Sequence, residues 1–353
     1  VKKMLSTSIA SSITYQQDLS RFNTFALSSK AKQYIDLKEK KQLLPLAEYL
    51  HEQALLAQVF ILGGGSNVVL APQIDCFVVH NQLKGIELLA EEADYFLIKA
   101  AAGELWHDFV QYCLDQGWHG LENLALIPGT VGAAPVQNIG AYGRELKDFC
   151  YEVEVFDFAT KQFATLSNAQ CCFSYRDSYF KQGGRGLLIV SVTFKLPRPW
   201  QAQLNYPDLK PLLDEVDNAC LDRVTAAQVF NQVCAVRRFK LPDPAEIGNA
   251  GSFFKNPIVD AQCHHDLKAQ YPTMPSYEQA DGRYKLAAGW LIDQCAWKGR
   301  ALGRAAVHQR QALVLVNGGG ATAEDIAQLA DKIKADVWDK FNVRLEPEPT
   351  FVV

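Results

Sequence analysis

Five stretches of this sequence hold residues whose types and spacing suit ligand binding or proton and charge chemistry. Gly63-Gly64-Gly65-Ser66-Asn67 follows the apolar run Val59-Phe60-Ile61-Leu62. Glycines let a backbone approach phosphates closely, and successive N–H groups form an anion-binding nest. The pattern is not a dinucleotide fingerprint, which needs a helix after the glycines; here Val68-Val69-Leu70 reads as strand. It also lacks the Lys-Ser/Thr ending of a P-loop. On these residues a phosphate nest and a plain glycine turn between strands stay equally open.

The second stretch runs from Ile127 to Gly143 and is dense in glycine and small residues. Thr130, Gln137 and Asn138 offer hydroxyl and amide partners for a flat heteroaromatic ring or a pyrophosphate. A structural Ω-loop is the alternative, but the length and density of special residues favour a ligand cradle. The third, Ser174-Tyr175-Arg176-Asp177-Ser178, contains an arginine able to grip a carboxylate through two parallel bonds. As a bare stretch it is ordinary surface material, with Asp177 a ready partner for Arg176.

The fourth is Gly248-Asn249-Ala250-Gly251-Ser252-Phe253-Phe254-Lys255-Asn256-Pro257. It is not a nucleophile elbow, because Phe254 stands where the second glycine belongs. No clear His/Asp set makes Ser252 a nucleophile, and His308 reads as a core or supporting histidine. Ser252 therefore suits proton donation better than acyl chemistry. The fifth is Leu345-Glu346-Pro347-Glu348-Pro349. It reads as a solvated tail unless a pocket holds it, in which case one acid orients a substrate or tunes a donor.

The elements that must position these residues are partly legible. Leu43, Leu46, Ala47 and Leu50 recur at helical spacing, with Pro45 near the start. Trp106–Leu114 also reads as helix. Val59–Leu62, Val68–Leu70, Val78–Val79, Phe96–Ile98, Glu152–Phe158 and Leu187–Leu196 read as strands. Thr322-Ala323-Glu324-Asp325 predicts a capped helix start, followed by the apolar stripe Ile326, Leu329, Ala330, Ile333, Val337 and Phe341. Pro197-Arg198-Pro199-Trp200 punctuates the chain and marks an expected boundary. The mixture predicts an α+β protein of two lobes.

Composition bounds the partners. The 353 residues allow two or three domains, and 35 Lys+Arg against 39 Asp+Glu give a net charge of −4. That balance argues against a dedicated nucleic-acid binder and offers no polybasic surface for lipid. The charge-free stretch Asn123–Gly143 is broken by Pro128, Pro135 and glycines, which excludes a spanning helix. No apolar core of signal-peptide length follows Lys2 and Lys3, so a cytoplasmic protein is expected. The nine cysteines are scattered, with no CxxC pair, and read as reduced thiols. Cys263-His264-His265 stands alone as a soft-ligand cluster, so no metal is expected.

In this order, the five segments resemble the UDP-N-acetylenolpyruvoylglucosamine reductase (MurB) family. Asn23-Thr24-Phe25 is similar to its entry motif, Gly63–Asn67 to its G-x-G-S-N turn and Leu121–Gly143 to its longest signature. Tyr175-Arg176-Asp177, Lys240-Leu241-Pro242, Gly248–Pro257, Ala287–Ile292, His308 and Leu345–Glu348 match in sequence order. Thr273–Tyr284 resembles the tyrosine loop of the first subtype. The chain departs at Pro349-Thr350, where relatives carry a basic residue.

The resemblance implies an FAD-binding domain of the vanillyl-alcohol-oxidase (PCMH) type in two subdomains over 23–198. An α+β substrate-binding domain follows over 199–353, its last residues packing back on the FAD lobe, and 1–22 is expected to be a disordered lead-in. The site is then expected in the cleft between the lobes. Implied cofactor contacts are Gly63, Gly64, Gly65, Ser66, Asn67, Pro128, Gly129, Thr130, Gly132, Ala133, Gln137, Asn138, Gly140, Ala141 and Tyr142. Implied substrate contacts are Tyr175, Tyr206, Arg237, Lys240, Asn256, Tyr277 and Gln311. The implied reaction takes hydride from NADPH through FAD to UDP-N-acetylglucosamine enolpyruvate, giving UDP-N-acetylmuramate for peptidoglycan. Arg176 and Glu348 would steady the developing carboxylate dianion, and Ser252 would protonate the neighbouring carbon. A monomer is expected. An FAD-linked alcohol or sugar oxidase and a non-catalytic nucleotide-sugar binder are the alternatives. The intact Arg176, Ser252 and Glu348 argue against the binder.

Overall fold

The computed structural model describes residues 9–184, 186–214 and 224–353. The chain divides into two compact units, each discontinuous in sequence. The first comprises residues 1–17, 31–64 and 75–239, and the second 18–30, 65–74 and 240–353.

In the first unit, α1 (Leu43–Glu52) buries Leu43, Leu46, Ala47 and Leu50, the stripe its spacing predicts. It packs in one core with Ile35, Leu37, Phe77 and Val79 of an adjoining sheet. That sheet has the order β1 (Thr14–Asp18), β2 (Lys30–Leu37), β4 (Gln73–Asn81), β3 (Val59–Leu62). A second, antiparallel sheet runs β8 (Gln162–Ser167), β7 (Cys150–Asp157), β9 (Leu187–Pro197), β6 (Tyr95–Ala101), β5 (Ile86–Glu91). β9 is covered on both faces: Leu188 and Val190 join the core of α1, while Val192 and Phe194 join that of α2 (Trp106–Asp115). This explains why its sequence is a continuous apolar run rather than an alternation.

Two sequence expectations are corrected here. Residues 9–22 are not a disordered lead-in: Ile9 and Ile13 are buried in the core of α1, and β1 lines up beside β2. Residues 1–8 lie outside the described residues. The units also do not part near Pro197–Trp200. Leu204, Leu209, Val229, Phe230 and Val233 are buried in the core of the first unit, the last three on α3 (Ala226–Lys240). The contact division falls at Phe239/Lys240. Conversely, Phe25, Leu27 and Val69 are buried in the second core, which assigns residues 18–30 and 65–74 to the second unit.

On β7, Glu154 meets Lys40 and Lys99 at 2.8 Å each and accepts from the Ser191 hydroxyl at 2.8 Å. Burial would raise its pKa, but these three donors outweigh burial and hold it at about 2. A carboxyl depressed in the fold stabilises above its unfolded pKa of ~4.3 and loses that contribution as pH falls toward the folded value. Glu154→Gln is expected to flatten part of the stability loss between about pH 4.3 and 2, read as the denaturant midpoint against pH.

In the second unit, β10 (Asn249–Ser252), β13 (Val314–Asn317), β12 (Ala305–Val307) and β11 (Ala301–Leu302) form an antiparallel sheet in that order. Thr350–Val352 pairs in parallel with Val68–Leu70. α5 (Ala323–Phe341) buries Ile326, Leu329, Ala330, Ile333, Val337 and Phe341 against this core, together with α4 (Ala288–Gln294). Its start is a reciprocal cap: the Thr322 hydroxyl accepts from Asp325 N–H, and Asp325 accepts from Thr322 N–H. Thr322→Ala is expected to cost about 1 kcal/mol, measured by denaturant unfolding.

Candidate active site

In the first unit, the 127–143 stretch is a packed loop, not an open coil. Gly132 N–H donates to Ala102 O and Val131 N–H to Glu104 O, which pins the loop to the start of α2. Gly63 and Gly64 lie against it. A Cβ on Gly63 would fall 2.8 Å from Thr130 Oγ1, and one on Gly64 2.8 Å from Gly129 Cα. Gly64 meets backbone and so admits no side chain without movement, while Gly63 faces the Thr130 side chain.

Gly140–Ala141 pairs with Arg144–Glu145, with Tyr142 and Gly143 at the tip, both at positive φ. The conformation matches the hairpin turn that favours such residues. The Tyr142 ring meets Tyr206 edge-on at 5.1 Å and shares a hydrogen bond with Arg237. Burial pushes the Tyr142 phenol up to about 12, so it stays neutral, and its oxygen accepts from the Arg237 guanidinium. Burial lowers the Arg237 guanidinium pKa, and Tyr142 opposes this. Arg237 Nε also donates to Leu126 O at 3.1 Å.

Ser174 and Asp177 exchange backbone hydrogen bonds, which places Tyr175 and Arg176 at the corner of a tight turn. Arg176 has φ +56, a left-handed conformation that a non-glycine residue adopts at a cost. Its Nη2 donates to Gly140 O at 3.1 Å. The Ser178 hydroxyl donates to Val136 O at 2.7 Å and ties this turn to the loop. Arg176, Gly140, Tyr142, Tyr206 and Arg237 therefore form one neighbourhood in the first unit.

Asn138 differs from its expected ligand role. It is fully buried, its Nδ2 donates to Glu145 Oε2 and Ser174 O, and its Oδ1 accepts from Lys147 N–H. Those bonds spend the side chain on joining the loop to the Arg176 turn.

In the second unit, Ser252 ends β10 opposite Val314. Glu348 N–H donates to Phe253 O at 2.8 Å and Lys255 N–H to Glu346 O at 2.9 Å. The terminal acids are thus paired with the serine segment, and Glu348 is buried rather than solvated. Asn67 Nδ2 donates to Glu348 O, and Thr350 N–H to Asn67 O. Asn256 Oδ1 accepts from Ala288 N–H at 2.9 Å and so anchors the start of α4. Gln311 is half-buried and Lys240 exposed. Tyr277 is 56% exposed on the short strand Ser276–Glu278, which pairs with Tyr284–Leu286, so the 273–284 segment is built as a hairpin.

Residues 243–352 match the family model for the C-terminal domain of UDP-N-acetylenolpyruvoylglucosamine reductase, and residues 32–166 that for an FAD binding domain. The UDP-N-acetylenolpyruvoylglucosamine reductase of Bordetella pertussis is 54% identical over 339 residues, spanning 95% of this chain and 94% of that protein. The chain belongs to the UDP-N-acetylenolpyruvoylglucosamine reductase family. The relative from Burkholderia vietnamiensis is 49% identical over 334 residues, 94% of each chain. The crystal structure of the MurB enzyme from Thermus caldophilus aligns with a TM-score of 0.64 over 97% of this chain and 98% of that one, at 22% identity. That likeness speaks to fold.

The match to an FAD binding domain makes FAD the cofactor. The contact of Gly63 and Gly64 with Gly129 and Thr130 fits such a group, since a backbone stripped of side chains is what a diphosphate needs for close approach. Sequence reasoning missed Asn123, Glu145 and His80. Asn123 Nδ2 ties Tyr142 O to Gln203 O, Glu145 receives Asn138, and His80 hydrogen-bonds the Gly63 carbonyl. Their residue types carry no local signal, because each acts on a partner distant in sequence.

Proposed function

We propose that this chain reduces UDP-N-acetylglucosamine enolpyruvate to UDP-N-acetylmuramate, with NADPH as hydride source, in peptidoglycan precursor synthesis. The observation that carries the reading is 54% identity to a reductase of this name across nearly the whole of both chains. Bound FAD supplies a two-electron hydride carrier between the two substrates.

The chain's own residues do the rest. Hydride added to the terminal enol carbon leaves negative charge on the adjacent carbon and its carboxylate. Arg176, fixed by its turn and by Gly140 O, holds that carboxylate as the charge develops. Ser252 gives its hydroxyl proton to the adjacent carbon and is reprotonated from solvent. Glu348, held beside the serine segment, orients the reacting groups. Gly63–Asn67 and the backbone of 128–142 hold the cofactor. Tyr175, Tyr206, Arg237, Lys240, Asn256 and Gln311 contact the nucleotide-sugar, and Tyr277 closes over its diphosphate as in the first subtype. Among the described residues no helix is long and apolar enough to cross a membrane. The reading is of a monomer acting in the cytoplasm.

The test is anaerobic. The purified protein should be yellow, bleach with NADPH, and regain colour when the enolpyruvyl sugar nucleotide is added. A colourless protein overturns the reading, and reoxidation by oxygen alone favours an oxidase.

A further inference from the structure

Behind the glycine turn lies a cluster that the reaction does not use. Tyr34 and Asp36 stand two apart on β2 and so share a face of the sheet. His80 lies on β4, next to β2, and its strand pairs on the other side with β3 in the register Leu62↔His80. Gly63, the first residue of the turn, therefore begins beside His80. The Tyr34 hydroxyl donates to Asp36 Oδ1 at 2.5 Å and lies 2.6 Å from His80 Nδ1. Asp36 Oδ1 is 3.3 Å from the same nitrogen, and Gln82 Nε2 reaches it at 2.9 Å. His80 in turn hydrogen-bonds the Gly63 backbone carbonyl.

The chemistry of the cluster has a definite direction. Tyr34 is buried, and burial with Asp36 beside it raises its phenol pKa, so it remains a donor. Burial lowers the imidazole pKa of His80 and favours the neutral ring. His80 Nδ1 faces Tyr34, Asp36 and Gln82, which leaves Nε2 to the Gly63 carbonyl. The carbonyl of Gly63 and the N–H of Gly64 belong to one trans peptide plane and point in opposite directions. Anchoring the carbonyl on one side therefore aims the Gly64 N–H to the other. A peptide between two glycines has little intrinsic preference and rotates readily, so an outside anchor decides its orientation.

We propose that Tyr34, Asp36 and His80 are positioning residues that lock the Gly63–Gly64 peptide with its N–H presented to the diphosphate of FAD. The proposal rests on the reading of FAD as cofactor. It gives the turn a rigid donor where the glycines alone would leave a flexible one.

The experiment uses the holoenzyme. FAD affinity is read from flavin fluorescence on dilution, and the environment of the bound diphosphate from its phosphorus NMR resonances. His80→Leu should weaken FAD about tenfold and shift at least one phosphorus resonance. His80→Gln, which keeps an N–H donor, should recover most of the affinity. Tyr34→Phe, which keeps the buried ring, should move the same resonance by less and serves if His80→Leu does not fold. Native affinity in His80→Leu, equal weakening in the Leu and Gln variants, or unmoved resonances in all variants would overturn the proposal. A native protein that carries no flavin would instead overturn the cofactor reading on which it rests.

Discussion

Ser252→Ala is expected to stop substrate reduction while NADPH still bleaches the flavin at close to the native rate. The argument begins with the reaction. Hydride addition and proton delivery occur at adjacent carbons, and only the second needs an acid. NADPH oxidation needs neither the serine nor the enolpyruvyl group. A positioned proton donor contributes about 10²–10⁴-fold, so the second half-reaction should fall by that range. Ser252 ends a strand whose register with Val314 is set by the backbone, and Phe253 N–H donates to Leu313 O one residue on. Alanine leaves that pairing intact, so the loss is of chemistry and not of fold. Rapid mixing separates the two steps: reduction is followed after NADPH alone, and reoxidation after the sugar nucleotide is added without oxygen. Equal slowing of both half-reactions would remove Ser252 from the proton-donor role. Glu348→Gln sharpens the test. Its buried side chain belongs to the segment paired with the serine segment, so it should affect the second half-reaction more than the first.

Where the sequence was informative follows from which forces act locally. The stripes of α1 and α5 declared themselves because helical periodicity alone decides which side chains are buried. The Thr322 cap was visible for the same reason, since donor and acceptor are three residues apart. The partition into units was not visible. Phe25, Leu27 and Val69 are apolar residues in apolar surroundings, and nothing local says which of two cores receives them. The glycine run illustrates the difficulty: Gly63 and Gly64 belong to the first unit and Gly65, Ser66 and Asn67 to the second. Asn138 was misleading for a related reason. Its residue type suits a ligand amide as well as it suits a buried tie, and only the distant partners Ser174 and Glu145 distinguish the two. Arg176 was found through its motif, but its left-handed backbone was not, because arginine has no preference for that conformation.

Gly64→Ala is expected to yield a folded but nearly colourless protein. The new Cβ would lie 2.8 Å from Gly129 Cα and 3.2 Å from Gly129 C, distances at which the neighbouring atoms must move. They are backbone atoms, so no flexible side chain can swing aside. Relief requires the glycine turn to separate from the 128–142 loop, and overpacking of this kind costs about 1–3 kcal/mol. If the upper part of that range falls on the flavin-bound geometry, FAD affinity drops by roughly 10²-fold. The core of α1 and the core around β9 do not include this contact, which is why the fold should survive. Gly117→Ala provides the comparison. Gly117 has φ +78 with nothing within 4 Å of its Cβ position, just beyond the end of α2. Alanine there carries backbone strain of about 1–2 kcal/mol but presses on nothing, so it should lower stability while keeping the flavin. Both variants should lose some stability, but only Gly64→Ala should lose colour. Flavin absorbance of the purified proteins and denaturant unfolding in excess FAD read both quantities. A yellow Gly64→Ala with native FAD affinity would mean that the close approach of these two backbones does not build the cofactor site.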